Sequence, residues 1–312
     1  MLNQAHFLEL KACCKLPSPK GAALKVMELC RRDNATLPEI IHVLQADPAT
    51  VGRILKIANS ATLNRPQAAV AITTDVLMSI GLNTVSQVVL AFSLVSETRE
   101  GVCPDFDYDA FWSRAAATGA ACQLLAAATR AAPPADMFTV GLLAGIGRLA
   151  LAAVHPARYG TLLSEVHGQF DPALTGIEQE AFGYNHVDVA AAMMGDWGLP
   201  RLYTDAAQFH ESPDHAGFDA NSRSARVVGC VHLASRIVRA CFHPGHGSTP
   251  DLVDIFSFAQ LLGIHVDDVL TLGDQMLSEW RGWSELLGIA LEEAVPLSEL
   301  ARAGKSAEGS TA

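Results

Sequence analysis

Residues 47–60 read DPATVGRILKIANS. Asp47 is placed to cap a helix, Pro48 suits the first turn, and Val51, Ile54, Leu55 and Ala58 recur at helical spacing on one face. A complete helix signal, from start to stop, therefore occupies a single short stretch. Upstream, TLPEIIHVLQ sets Thr36 and Glu39 at capping-box spacing and places Leu37, Ile40, Ile41 and Leu44 on one stripe. Before it, LPSPKGAALKVMELC offers Ser18 and Pro19 as cap and first turn, with Leu24 and Met27 on a common face. Helices this short persist only when packed on one another.

The same punctuation runs downstream. Val76–Ser96 is a charge-free stretch of 21 residues, nominally enough to cross a bilayer. Seven of those residues are Ser, Thr, Asn or Gln, and Gly81 with Asn83 reads as a stop and restart, so two core helices are expected. REGVCPDFDYD, residues 99–109, reads as a linker. A long Ala-rich helix is expected from about Phe111 to Thr129, then a buried central helix over Met137–Val154, apolar on nearly all sides except at Arg148. Further helices follow around Val187–Trp197, into His210, and over ARVVGCVHLASRIVRA. CFHPGHGSTP forms a second Gly/Pro-rich break before a C-terminal helical group, and the small polar residues from about Gly304 are expected to be disordered. Alternating Val/Ile/Thr runs with hairpin turns are absent. The fold class read from these signals is all-α.

Composition sets the outer bounds. The chain has 312 residues, half of them apolar and 18% charged, with a mean hydropathy of +0.22, which excludes a disordered or collagen-like chain. The net charge is −11. Residues 1–100 carry 10 basic and 8 acidic side chains, against 12 and 25 in the remainder, and such an acidic surface argues against nonspecific binding to nucleic acid or to an anionic membrane. The seven cysteines are scattered without a CxxC pair, as expected for reduced thiols. With no export leader legible in MLNQAHFLELKACC, a cytoplasmic location is expected. No GxGxxG after a strand, P-loop, HExxH or GxSxG occurs, which leaves a dehydrogenase, kinase or protease without footing.

The segments LPSPKGAALKVMEL, LQADPATVGRILKIANSA, LMSIGLNTVSQVVL, GLLAGIGRLAL and FGYNHVDVAAAMMGDWGLP resemble, in sequence and order, the HDOD (HD-related output domain) family of bacterial signalling proteins. The resemblance covers roughly residues 16–240. It is carried most specifically by Asp47, Pro48, Asn59 and Ser60 and by WGLP at Trp197–Pro200. It implies a multi-helix domain related to the HD phosphohydrolases: an N-terminal helical subdomain over 1–104, a degenerate HD-like subdomain over 105–245, C-terminal helices over 246–303 and a disordered tail over 304–312.

An HD hydrolase gathers imidazoles and carboxylates around one or two metal ions that lower the pKa of a bound water. The resemblance places Arg114 where the first histidine would stand, Ala144 and Gly145 in place of the His-Asp pair, and Ser235 in place of the last aspartate. His186 and His210 remain, with Phe209 at the first position of a His-His pair that is frequent in the family. Two imidazoles fall short of the three or more protein ligands of a catalytic site, and a guanidinium repels a cation. No catalytic residue, metal or cofactor is therefore expected. Even with Glu211 as a neighbour, each histidine is better read as a core imidazole satisfied by a backbone carbonyl. Arg114 and Arg148, with His186 and His210, could instead form a pocket for an anion such as a phosphate or a cyclic dinucleotide, or Arg148 could simply pair with a carboxylate. Cys241, His243 and His246 have metal-ligand spacing but no closing cluster, and Cys13 with Cys14 reads as incidental.

The resulting expectation is a non-enzymatic bacterial regulatory module that binds partner signalling proteins and is biased by a small anion or nucleotide. The alternatives are a residual metal-dependent phosphohydrolase and a nucleotide sensor without turnover.

Overall fold

The computed structural model describes residues 2–30, 32, 34–59, 68–166, 168–243 and 249–309, and among these there are helices and connections but no strand. The chain forms two compact units, one of Pro17–Arg99 and one of Met1–Leu16 with Glu100–Ala312. The first helix, α1 (Gln4–Ala12), thus belongs with the larger unit.

The smaller unit holds α2 (Gly21–Cys30), α3 (Leu37–Gln45), α4 (Pro48–Ala58), α5 (Thr74–Ile80) and α6 (Leu82–Glu97). Ala23, Val26, Leu29, Ile40, Leu44, Ile54, Leu77, Val85 and Val89 form its core. Asp47 caps α4 as expected, accepting from the Thr50 backbone N–H at 3.3 Å and the Thr50 hydroxyl at 2.6 Å. Asn59 bonds Ala69 in both directions, donating Nδ2 to its carbonyl (2.9 Å) and accepting its N–H (2.6 Å). Ser60 lies outside the described residues. Helix α2 begins at Gly21, so Ser18 and Pro19 stay outside it, and Leu24 is 46% exposed while Val26 is buried. The late start turns the inward face toward Ala23, Val26, Met27 and Leu29. The charge-free stretch is two helices bent by 88°.

The larger unit contains α7 (Tyr108–Thr129), α8 (Pro134–Leu143), α9 (Ile146–Val154), α10 (Pro156–Glu165), α11 (Leu174–Phe182), α12 (His186–Asp196), α13 (Arg201–Phe209), α14 (Arg223–Phe242), α15 (Thr249–Leu261), α16 (Val266–Leu287) and α17 (Leu297–Gly309). Asp107 caps α7, and α8, α14 and α16 pack around it. The expected single central helix is instead α8 and α9, divided by a turn at Ala144 and Gly145. By length and composition Pro134–Val154 could cross a membrane, yet 78% of its most apolar window is buried inside the protein. Residues 99–109 are irregular but packed: Cys103 and Phe106 are buried, and the Phe106 ring meets Tyr108, Phe111 and Tyr159. An apolar pair within a polar segment overrides the linker composition.

Residues 246–303 have no separate unit of their own. The C-terminus also departs from expectation, since α17 runs to Gly309 across most of the segment read as a disordered tail. Leu297, Leu300 and Ala301 are buried and anchor the first turns of this helix.

Candidate functional site

The elements of the larger unit converge on a cavity of about 170 Å³. Arg114 reaches it from α7, Ala144 and Gly145 from the α8–α9 turn, Arg148 from α9, His210 from the end of α13 and Ser235 from α14. Six positions named from sequence thus line one space, while His186 sits fully buried behind its wall.

Two local features fix His186. Asn185 caps α12 by accepting the Asp188 N–H at 3.0 Å. Gly147 then lets α9 approach α12 closely, since a Cβ there would fall on the His186 carbonyl oxygen. Both ring nitrogens of His186 face carboxylates: Nδ1 lies 2.6 Å from Glu178 Oε2, and Nε2 lies 3.0 Å from Glu211 Oε1. The His186 backbone N–H also donates to Glu178 Oε2 (2.7 Å), and the Tyr159 hydroxyl donates to Glu178 Oε1 (2.9 Å). Glu211 accepts in turn from the Arg148 guanidinium and from the Thr175 hydroxyl. The result is a continuous polar chain through the core, Tyr159–Glu178–His186–Glu211–Arg148.

The charges follow from this geometry. Burial and the Arg148 charge push the His186 pKa down, but Glu178 and Glu211 outweigh them and raise it. Burial would raise the Glu211 carboxyl, yet His186 and Arg148 hold it well below the usual range. At His210 burial outweighs the nearby Glu211 charge and lowers the pKa to about 4, and its Nδ1 bonds the Ala207 carbonyl at 2.8 Å. His210 therefore matches the expectation of a core imidazole satisfied by a carbonyl. His186 does not, because two carboxylates replace the carbonyl.

The imidazole and carboxylate donors of the site are engaged with one another and with Arg148. Among the described residues no three His, Cys, Asp or Glu side chains are grouped to hold one. The Arg148 guanidinium also stands beside position 145, since a Cβ on Gly145 would be 3.1 Å from Arg148 Nη1. A cation there would face that guanidinium. The second candidate set fares no better. Burial pushes the Cys241 thiol up to about 12, His243 lies against Arg114 at 2.8 Å, and His246 is outside the described residues.

Several functional groups escape a reading by motif. Arg236 and Arg239 line the cavity one helical turn apart on α14, so its walls carry four guanidiniums against the carboxylates of Asp171 and Glu211. Arg114 stacks on the Phe170 ring, 4.1 Å from its centroid, and bonds Glu292 Oε2 at 2.9 and 3.2 Å. Glu178 had a usable signal: it follows Leu174 by four residues on the inward face of α11, where an apolar residue is the norm.

The geometry can be set beside known proteins. A curated protein of Treponema pallidum (strain Nichols), itself uncharacterized, is 23% identical over 202 residues, 64% of this chain and 38% of the relative. This chain thus spans well under half the length of that relative. The MmoQ response regulator of Methylococcus capsulatus is 29% identical, with a TM-score of 0.50 over 83% of this chain and 98% of that one. A candidate phosphohydrolase of Shewanella amazonensis shares the fold at 21% identity, with a TM-score of 0.65 over 89% of this chain and 97% of the other. The HDOD domain family model matches residues 16–213, more than half the chain and including α7 through His210. The chain belongs to the HDOD domain family.

Proposed function

We propose that the chain is a non-enzymatic signalling module in which the pocket that serves metal chemistry in HD phosphohydrolases has become a guanidinium-lined recognition site. The observation that carries this reading is the Arg148–Glu211–His186 contact, which commits the local carboxylate and imidazole to one another beside Gly145. The module acts by presenting its helical surface to partner proteins of a bacterial regulatory pathway, with the pocket biasing that surface. The likeness to a response regulator supports the signalling role. Seven free thiols, four of them buried, suit a reducing cytoplasm.

A residual metal-dependent phosphohydrolase is the second reading. It is favoured by the approach of both His186 Nε2 (3.0 Å) and His210 Nε2 (4.0 Å) to the same Glu211 oxygen. The two separate on hydrolysis of a chromogenic phosphodiester with added manganese or iron. The module predicts turnover no faster than buffer; metal-dependent turnover abolished by His210→Ala establishes the hydrolase instead.

A further inference from the structure

We propose that the cavity binds a single dianionic phosphoryl group through Arg114, Arg148, Arg236 and Arg239, in competition with Glu292 for Arg114. This rests on the reading that the pocket is not a metal centre, and it names the ligand class.

Size selects the ligand first. A volume of about 170 Å³ is below the ~300–1,000 Å³ of pockets that enclose drug-sized molecules, so the enclosed part of a ligand is the size of one tetrahedral anion, and a terminal dianionic phosphoryl group enters more readily than the monoanionic diester of a cyclic dinucleotide. Charge selects it next. Four arginines line the cavity, each also paired with a carboxylate, in a chain whose net charge is −11, so any attraction for an anion is local to this site.

The partners of two of these arginines lie toward the surface. Arg236 pairs with Asp254 at 2.9 Å and Arg239 with Asp251 at 3.4 Å, both across to α15, and the Asp254 side chain is 59% exposed. The exposed Arg236–Asp254 pair contributes little, while Arg148 would meet the anion with its Glu211 contact in place. Burial and the neighbouring Arg236 charge lower the pKa of Arg239, a repulsion that a bound anion relieves. Arg148 Nε is buried without a hydrogen-bond partner.

Glu292 is the most informative contact. Arg114 Nε and Nη2 both converge on its Oε2, while Oε1 is buried without a partner. This is half of a fork, whereas a phosphoryl group offers a separate oxygen to each donor. Arg236, Arg239 and Glu292 all lie beyond the family match, which ends at residue 213. Part of this pocket's lining, from α14, and the Glu292 contact, from the connection between α16 and α17, are thus supplied by residues outside the family match.

The test is calorimetric titration of the full chain with inorganic phosphate, ionic strength being held constant with chloride and metal content measured on the same preparation. Saturable binding of one phosphate per chain is expected, weakened about tenfold by Arg239→Gln and tightened several-fold by Glu292→Gln. If Arg239→Gln fails to fold by circular dichroism, Arg236→Gln carries the same expectation. Competition by adenosine monophosphate identifies a phosphate monoester as the source, and its failure identifies free phosphate; either supports the proposal. Heats equal to the chloride control, unchanged affinity in the arginine variant, or displacement by a cyclic dinucleotide would overturn it. Bound metal with chelator-sensitive phosphate binding instead condemns the underlying reading, whereas metal-free protein that ignores phosphate condemns the ligand assignment alone.

Discussion

At the scale of single residues, the substitution of chemistry in this pocket is a matter of which charges face each other. Arg148 helps to neutralise Glu211 in a largely buried setting, so Arg148→Ala leaves the carboxylate hydrogen-bonded to His186 and Thr175 alone and is expected to cost about 2–3 kcal/mol. The double variant Arg148→Met, Glu211→Gln should recover most of that loss, and urea denaturation of the three proteins measures both. A cost under about 1 kcal/mol for the single variant would show that water reaches the pair. His210 gives a pH dependence of definite sign. Its folded pKa is depressed from 6.5 to about 4, so the folded state binds fewer protons than the unfolded chain in that window. Its contribution is complete above pH 6.5 and declines as the pH falls toward 4, by on the order of 3 kcal/mol. His186 has the opposite sign and Glu211 the same: the raised His186 loses its contribution as pH rises through its folded pKa, whereas the lowered Glu211, like His210, loses its contribution as pH falls through its own. His210→Gln should therefore flatten the stability-versus-pH curve below pH 6.5, and an unchanged slope would remove His210 from the account.

At the scale of elements, the approach of α9 to α12 is what places His186 between its carboxylates. Gly147→Ala forces a methyl onto the His186 carbonyl and is expected to cost about 1–3 kcal/mol or more in urea unfolding. Asn185→Ala, which removes the cap of the same helix, should cost about 1 kcal/mol. Much of this scaffold was legible in the sequence because caps act locally. Asp47 and Pro48 open α4, and Trp197, Gly198 and Pro200 close α12 and start α13, with Gly198 at φ +77° supplying the left-handed residue that a helix end favours. Arg114, Arg148 and His210 were legible as neighbours through the family pattern. The turn at Ala144–Gly145 was not, because an apolar run gives no periodicity to interrupt. Nor was the relay from Tyr159 to Glu178, since its members sit on α10 and α11 and meet only when those helices pack. Glu292 meets Arg114 across 178 positions of chain, a pairing that no local pattern encodes.

At the scale of the whole molecule, the acidic balance of the chain and the guanidiniums of the pocket belong together. An overall negative surface discourages polyanions, while the proposed anion site is recessed and lined by arginines. The thiols report on the packing of both units without perturbing it. Cys13 and Cys14 are exposed, Cys30 is half-buried, and Cys103, Cys122, Cys230 and Cys241 are buried, with burial raising the pKa of each buried thiol. A colorimetric thiol reagent should thus modify Cys13 and Cys14 rapidly and the buried four only at the rate of unfolding. Rapid reaction at all seven would mean that the helices are not packed as described.

The central claim is that a guanidinium–carboxylate–imidazole chain stands where metal ligands would otherwise converge. Its most direct test is elemental analysis of protein produced in medium supplemented with iron, zinc and manganese. The account predicts metal well below one equivalent per chain, unchanged by His186→Ala or His210→Ala. About one ion per chain, lost in either variant, would contradict it.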